Sequence, residues 1–213
     1  MKYHELLKYR RNKEFENIQM ISKNVENSND YRIISELALC FFLDENYTKA
    51  SLLYDRSISL SKIGKTFNRK GLLLFKMKDY ENAILHFKNA IVLEKNKAYY
   101  NNLGIVFDEI GDFISAINNY NKAINIDNNF KEAINNLGVS LDKLGQYEKA
   151  LECYSKVLFL DCNFYQALNN KAITLRKLKK FQLALINCEK ALENSMNNTI
   201  IIKNHQTIKS YLN

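Results

Sequence analysis

The residues with most to offer chemically are carboxamides set in adjacent pairs at a fixed interval. Asn101 and Asn102 are followed 34 positions later by Asn135 and Asn136, and again by Asn169 and Asn170. One interval of 33 before the first pair, Asn68 is followed by Arg69. A carboxamide donates two N–H groups and accepts at its oxygen, so a row of them can pair with the backbone of an extended polypeptide without demanding a particular side chain. One row further along come Leu39, Leu72, Ile105, Val139 and Ile173. Each net hydrogen bond contributes only about 0.5–1.5 kcal/mol, so the aliphatic row has to add apolar burial, at roughly 25 cal/mol per Å². The same amides also suit a helix face that is merely capped or solvated, and both readings fit the residues.

Other chemistry is scarce. Cys40, Cys153, Cys162 and Cys188 lack close-pair spacing and a companion histidine cluster, which points to small apolar packers in a reducing compartment. His4, His86 and His205 lie far apart. There is no phosphate-cradling glycine loop, nucleophile motif or metal-ligand cluster. Asp108 and Glu109 are sequence neighbours and suit solvent exposure better than acid–base work. The expectation is a protein that is not an enzyme and uses no cofactor and no metal.

The elements that position the amides are read from the same interval. Leu103 and Gly104 recur as Leu137 and Gly138, while Ala116, Tyr120 and Ala123 recur as Ala150, Tyr154 and Val157, then as Ala184, Cys188 and Ala191. Such self-similarity means a stacked array in which each unit touches mainly its neighbours. Residues three or four apart share a helix face. Tyr100, Leu103, Gly104 and Phe107 therefore form a core stripe, and Asn101, Asn102 and Ile105 lie on another. Gly71, Gly104 and Gly138 sit mid-helix, where glycine costs about 1 kcal/mol relative to alanine, which implies close helix approach. Gly111 and Gly145 fall at turns that a left-handed residue closes cheaply; Lys78 and Lys179 replace glycine there, so those turns are expected to close differently. After Asn194, Ile201, Ile208 and Leu212 mark one apolar stripe, with Lys203, Gln206 and Lys209 as a polar outer face.

The pattern resembles the tetratricopeptide repeat family. In the middle unit the motif positions are Tyr100, Leu103, Gly104, Phe107, Ala116, Tyr120 and Ala123. Lys70 and Lys171 stand where that family has leucine, and Asn128 stands where it has a terminal proline. The resemblance implies an all-α fold: an α-solenoid of stacked antiparallel helix pairs in a right-handed superhelix. About six units plus a C-terminal capping helix are expected in a single continuous domain: a degenerate first repeat at 1–30, repeats at 31–63, 64–96, 97–130, 131–164 and 165–198, and the cap at 199–213. It also implies that first helices line a concave groove carrying Asn68, Arg69, Leu72, Asn101, Asn102, Ile105, Asn135, Asn136, Val139, Asn169, Asn170 and Ile173. An asparagine ladder that binds an extended peptide of a protein partner follows as the expected mode. A carboxylate clamp is disfavoured, because Glu132 and Asn136, or Gln166 and Asn170, stand where its basic pair belongs.

Composition bounds the partner. A net charge of +8, with clusters at Lys8, Arg10, Arg11 and Lys13 and at Arg176, Lys177, Lys179 and Lys180, keeps RNA binding as an alternative. Asp108, Glu109 and Asp142, read as groove residues, weigh against nucleic acid. Hydrophobic content of 46% with 25% charged residues suits a folded soluble protein. No apolar run approaches the roughly 20 residues needed to span a bilayer, so no membrane is expected as a partner. The charged amino terminus lacks an apolar secretory core, so a cytoplasmic location is expected.

Overall fold

A computed structural model describes residues 28–195 and 198–212. The first repeat expected at 1–30 lies almost wholly outside the described residues, as does the cluster at Lys8, Arg10, Arg11 and Lys13. Among the described residues there are eleven α-helices and no strand: α1 (Tyr31–Leu43), α2 (Tyr47–Leu60), α3 (Gly64–Lys76), α4 (Tyr80–Leu93), α5 (Lys97–Glu109), α6 (Phe113–Ile126), α7 (Lys131–Lys143), α8 (Tyr147–Leu160), α9 (Tyr165–Lys177), α10 (Phe181–Glu193) and α11 (Thr199–Lys209). Connections of only a few residues force consecutive helices antiparallel. No described helix is long and apolar enough to cross a membrane.

The chain divides into two compact units, Met1–Val106 and Phe107–Asn213, with the division falling inside α5. In the first unit, α1 packs on α2, α2 on α3 and α3 on α4. At α1 and α4 short polar side chains satisfy free N–H groups: Asp30 accepts from the Arg32 amide at 2.9 Å and Asp79 from the Asn82 amide at 3.3 Å, the usual N-cap device. Ile34, Leu37, Ala38 and Phe41 of α1 and Ala50 and Tyr54 of α2 are all buried. A second cluster joins Phe67, Ala90 and Tyr99. In the second unit α6 through α11 pack consecutively, and the first helices of successive pairs also touch, α7 with α9 and α9 with α11. There the core runs from Ile134, Ala150, Tyr154, Val157 and Ala167 to Leu168, Ala172, Ala184, Cys188, Ala191, Ile201 and Ile208.

The mid-helix glycines mark the closest approaches. A Cβ on Gly71 would lie 2.8 Å from the Phe87 ring, and one on Gly138 would lie 2.6 Å from the Tyr154 ring. Both rings are fully buried, so neither can retreat.

The two lysines at the leucine register are accommodated by a shared device. Lys70 of α3 pairs with Asp55 of α2, and Lys171 of α9 donates to the Ser155 hydroxyl of α8 at 3.0 Å. His205 of α11 meets Glu189 of α10 in the same way at 3.6 Å. Each long side chain reaches back to the helix just before its own.

Three expectations are corrected. Lys78 (φ 63°) and Lys179 (φ 58°) do not close their turns differently: with Glu45 (φ 59°), they take the left-handed conformation of Gly111 (φ 81°) and Gly145 (φ 75°). The reason is that the helix packing on either side fixes the turn, and the residue accepts a steric penalty of about 1–2 kcal/mol. Cys162 is exposed, although Cys40 and Cys188 are buried, because it lies in a connection and not on a helix face. Leu212 is 42% exposed while Ile201 and Ile208 are buried, since α11 ends at Lys209. Tyr211 beside it stacks its ring on Phe181 at 4.8 Å and is also exposed.

His86 of α4 is a titratable member of the first unit. Its Nδ1 is buried without a hydrogen-bond partner, and its ring packs on Phe67 at 5.7 Å. Burial, then the Lys70 ammonium, lower its pKa below 6.5, against the opposing pull of Asp55 and Asp79. The fold therefore holds His86 neutral where an unfolded chain would protonate it.

Packing and charge set three expected outcomes. Gly138→Ala should destabilise by about 1–3 kcal/mol through overpacking, whereas Lys179→Gly should stabilise by up to about 1 kcal/mol by relieving the left-handed turn; urea unfolding measures both. The depressed His86 pKa contributes stability that is present above the unfolded value and lost as pH falls through the folded one. Melting temperature should thus drop between about pH 7 and pH 5, and His86→Leu should flatten that drop.

Candidate functional site

The amide pairs sit on the first helix of each pair, where they face the first helix of the preceding one. In the first unit the Asn102 Nδ2 donates to Asn68 Oδ1 at 2.9 Å. In the second, Asn170 donates to Asn135 Oδ1 at 3.1 Å and Asn204 to Asn169 Oδ1 at 2.9 Å. One rule covers all three: the second member of a pair donates back to the first member of the pair before it. Arg69 obeys the rule as well, its guanidinium donating to the Ser35 hydroxyl at 3.0 Å and to Glu36 Oε1 at 2.6 Å.

The consequences differ between the units. In the first, Arg69 is only 10% exposed and the Glu36 side chain 3%, so both charges are spent on each other. Asn101 is buried there, while Asn68, Asn102, Leu72 and Ile105 are half-buried. The hollow beside Arg69, lined also by Glu36, Lys65, Thr66 and Arg32, measures about 60 Å³, room for little more than a water or two.

In the second unit a hollow of about 350 Å³ brings together Asn135, Asn136, Val139, Asn169 and Asn170, five of the residues expected from sequence. Tyr165, Gln166 and Asn198 complete its polar wall, and Ile200 and Ile201 its apolar one. Among the described residues, no charged side chain lines it. Asn135 is 7% exposed and bonds weakly to Asn136 at 3.5 Å. Ile173 is half-buried on the same helix as Asn170 but does not line the hollow.

Of the three acidic residues read as groove charge, Asp108 and Asp142 do structural work instead, while Glu109 is exposed. Asp108 accepts from the Tyr120 hydroxyl at 2.7 Å and from the Ser140 hydroxyl at 2.7 Å. Asp142, 9% exposed, accepts from Thr174 at 2.7 Å and pairs with Lys177. The pattern repeats because Ser140 and Thr174 stand one period apart, each beside the aspartate of the preceding first helix. Burial, together with the Asp108 carboxylate, raises the Tyr120 hydroxyl pKa, so it stays a proton donor. Lys177 also lies 5.6 Å over the Tyr147 ring, so one member of the basic cluster at Arg176–Lys180 is committed to the fold.

Sequence reasoning missed Asn204, although one period beyond Asn170 lands on it, because 199–213 is expected there only as a cap. It also missed Ser35 and Glu36, which occupy the amide registers of α1 with other residue types.

Of the three amide bonds, the one from Asn170 ties a buried partner, Asn135. Asn170→Ala leaves the Asn135 oxygen without its donor and should cost about 1–3 kcal/mol in the absence of any ligand; an unfolding midpoint unchanged from wild type would show the bond to be idle.

Among known proteins, tetratricopeptide repeat family models match residues 64–97, 98–130 and 132–161. No curated protein matches the chain. Similar solved structures include MamA, 22% identical, covering 72% of this chain and 91% of that one at a TM-score of 0.66. YrrB, described as a tetratricopeptide repeat protein with an unusual peptide-binding site, is 20% identical over 86% of this chain and 96% of its own, at a TM-score of 0.65. The protein pilF of Pseudomonas aeruginosa is 15% identical and covers 98% of this chain and 95% of its own, at a TM-score of 0.80. At these identities the likeness is one of fold.

Proposed function

Because residues 64–161 of the chain are tetratricopeptide repeats, we propose that this protein is a non-catalytic interaction scaffold that holds an extended peptide segment of a protein partner along its first helices. The observation that carries this reading is the uncharged hollow of about 350 Å³ in the second unit, where two amide pairs and Val139 meet. Asn68, Asn101, Asn102, Leu72 and Ile105 extend the reading to the first unit as a separate, narrower contact. Peptide binding by YrrB, a protein of similar fold, supports it.

The inter-helix amide bonds are compatible with a ligand. A carboxamide has two N–H donors and two acceptor lone pairs, and the bond to the neighbouring helix uses one of these while fixing the rotamer. The remaining donor and acceptor are then pre-organised, so less side-chain entropy is lost when a peptide backbone arrives. Two or three such contacts and the burial of an aliphatic side chain against Val139 and Ile201 give micromolar affinity at best. The reading includes a cytoplasmic location.

The test is titration calorimetry with a peptide selected on the full chain. Asn136→Ala combined with Val139→Ala should weaken binding about tenfold, equivalent to about 1.4 kcal/mol, measured at a temperature where circular dichroism shows the double variant folded. Because no charge lines the hollow, affinity should barely change on raising salt. Undiminished binding by the double variant would exclude this site, and a steep loss with salt would point to an electrostatic ligand instead.

A further inference from the structure

Two successive repeats of the second unit differ at one corner. In the earlier repeat Lys131 bonds Asp161 at 2.6 Å and lies 5.5 Å over the Phe164 ring, with Leu160 and Phe164 both packed against the core. These four side chains form a plug. One period of 34 later the same positions hold Tyr165, Ser195, Asn198 and Asn194. These four line a hollow of about 400 Å³. Every member of the plug has been exchanged for an uncharged hydrogen-bonding residue, and Tyr165 and Asn198 also line the adjoining amide hollow.

The exchange leaves a chemical vacancy. Ser195 is 6% exposed, and its hydroxyl is buried with no hydrogen-bond partner, a situation that costs about 1–3 kcal/mol. Around it the hydrogen-bonding capacity is mixed. Asn198 spends its oxygen on the amides of Ile200 and Ile201, leaving its N–H groups. Asn194 spends one N–H on the Lys190 carbonyl, leaving its oxygen. A group that fits must both donate and accept, and must carry no charge. A carboxylate only accepts and would meet no cation among the described lining residues, an ammonium only donates, and an aliphatic group leaves Ser195 unpaired.

The geometry points to a socket for an uncharged carboxamide side chain, glutamine or asparagine, on the peptide segment held in the adjoining amide hollow. This rests on the peptide-groove reading above and adds to it a residue preference at one position. Ser195 supplies the donor and acceptor at the floor, Asn194 the acceptor and Asn198 the donor at the wall, and Tyr165 the face that packs on the side-chain stem.

A random-peptide library displayed on phage is selected against the full chain, and the enriched peptides are synthesised and titrated. The socket predicts glutamine or asparagine at one fixed position. Replacing it with glutamate, lysine or leucine should weaken binding about tenfold, and Ser195→Ala should weaken the parent peptide by a similar factor. Tyr165→Lys with Ser195→Asp rebuilds the ion pair of the preceding repeat inside the hollow; it should abolish the preference while leaving the melting temperature equal or higher. If that variant fails to fold, Ser195→Ala decides alone. Peptides that tolerate glutamate at every position, or bind both Ser195 variants as wild type, overturn the socket and leave the groove. Peptides indifferent to Asn136→Ala with Val139→Ala overturn the groove reading, and no enrichment at all overturns both.

Discussion

An aromatic ring pressed onto the bare backbone of a glycine sets the spacing within helix pairs of each unit. Phe87 lies against Gly71 and Tyr154 against Gly138 at distances that leave no room for a methyl group. That contact buries a large side chain completely and draws the two helices of a pair together. With its core stripe committed in this way, each first helix turns another stripe toward the first helix before it. The amides occupy that second stripe, and their bonding pattern is a consequence of how closely first helices are set.

Amide bonding serves both the fold and the proposed ligand. Asn102 to Asn68, Asn170 to Asn135 and Asn204 to Asn169 run in one direction, from later helix to earlier. Such bonds add little net energy singly, but the buried acceptor Asn135 makes the bond from Asn170 costly to lose. They also hold the side chains in one rotamer with capacity to spare. Where the register departs from asparagine the outcome differs: Arg69 and Glu36 neutralise each other beside a hollow too small for a side chain. The open, uncharged hollow belongs to the unit in which the amides are uninterrupted.

Most of the architecture was legible in the sequence because period and residue size carry it. Ala116, Tyr120, Ala150 and Tyr154 announce their burial by recurring in step, and Gly71 and Gly138 announce close approach by their energetic cost. What stayed hidden depends on partners that a single helix does not reveal. Asp108 looked like surface charge until Ser140 of the next first helix was seen beside it. Arg69 looked like a groove cation, yet the sequence could not indicate that Glu36 turns toward it. Lys179 carries no signature of a left-handed turn; the packing on either side imposes it. Asn204 lies one period beyond Asn170 and is within reach of the sequence. The hollow at Tyr165 and Ser195 becomes visible only when a repeat is compared with the one before it in three dimensions.

The central claim is that the amide rows are held by one bond and keep a second donor for a ligand, and side-chain NMR tests it most directly. In the free chain the two Nδ2 protons of Asn170 should exchange with solvent at clearly different rates, one protected by Asn135 and one open, and the open one should become protected when a selected peptide is added. Equal, rapid exchange of both protons in the free chain, or no change in the open proton at saturating peptide, would contradict the account.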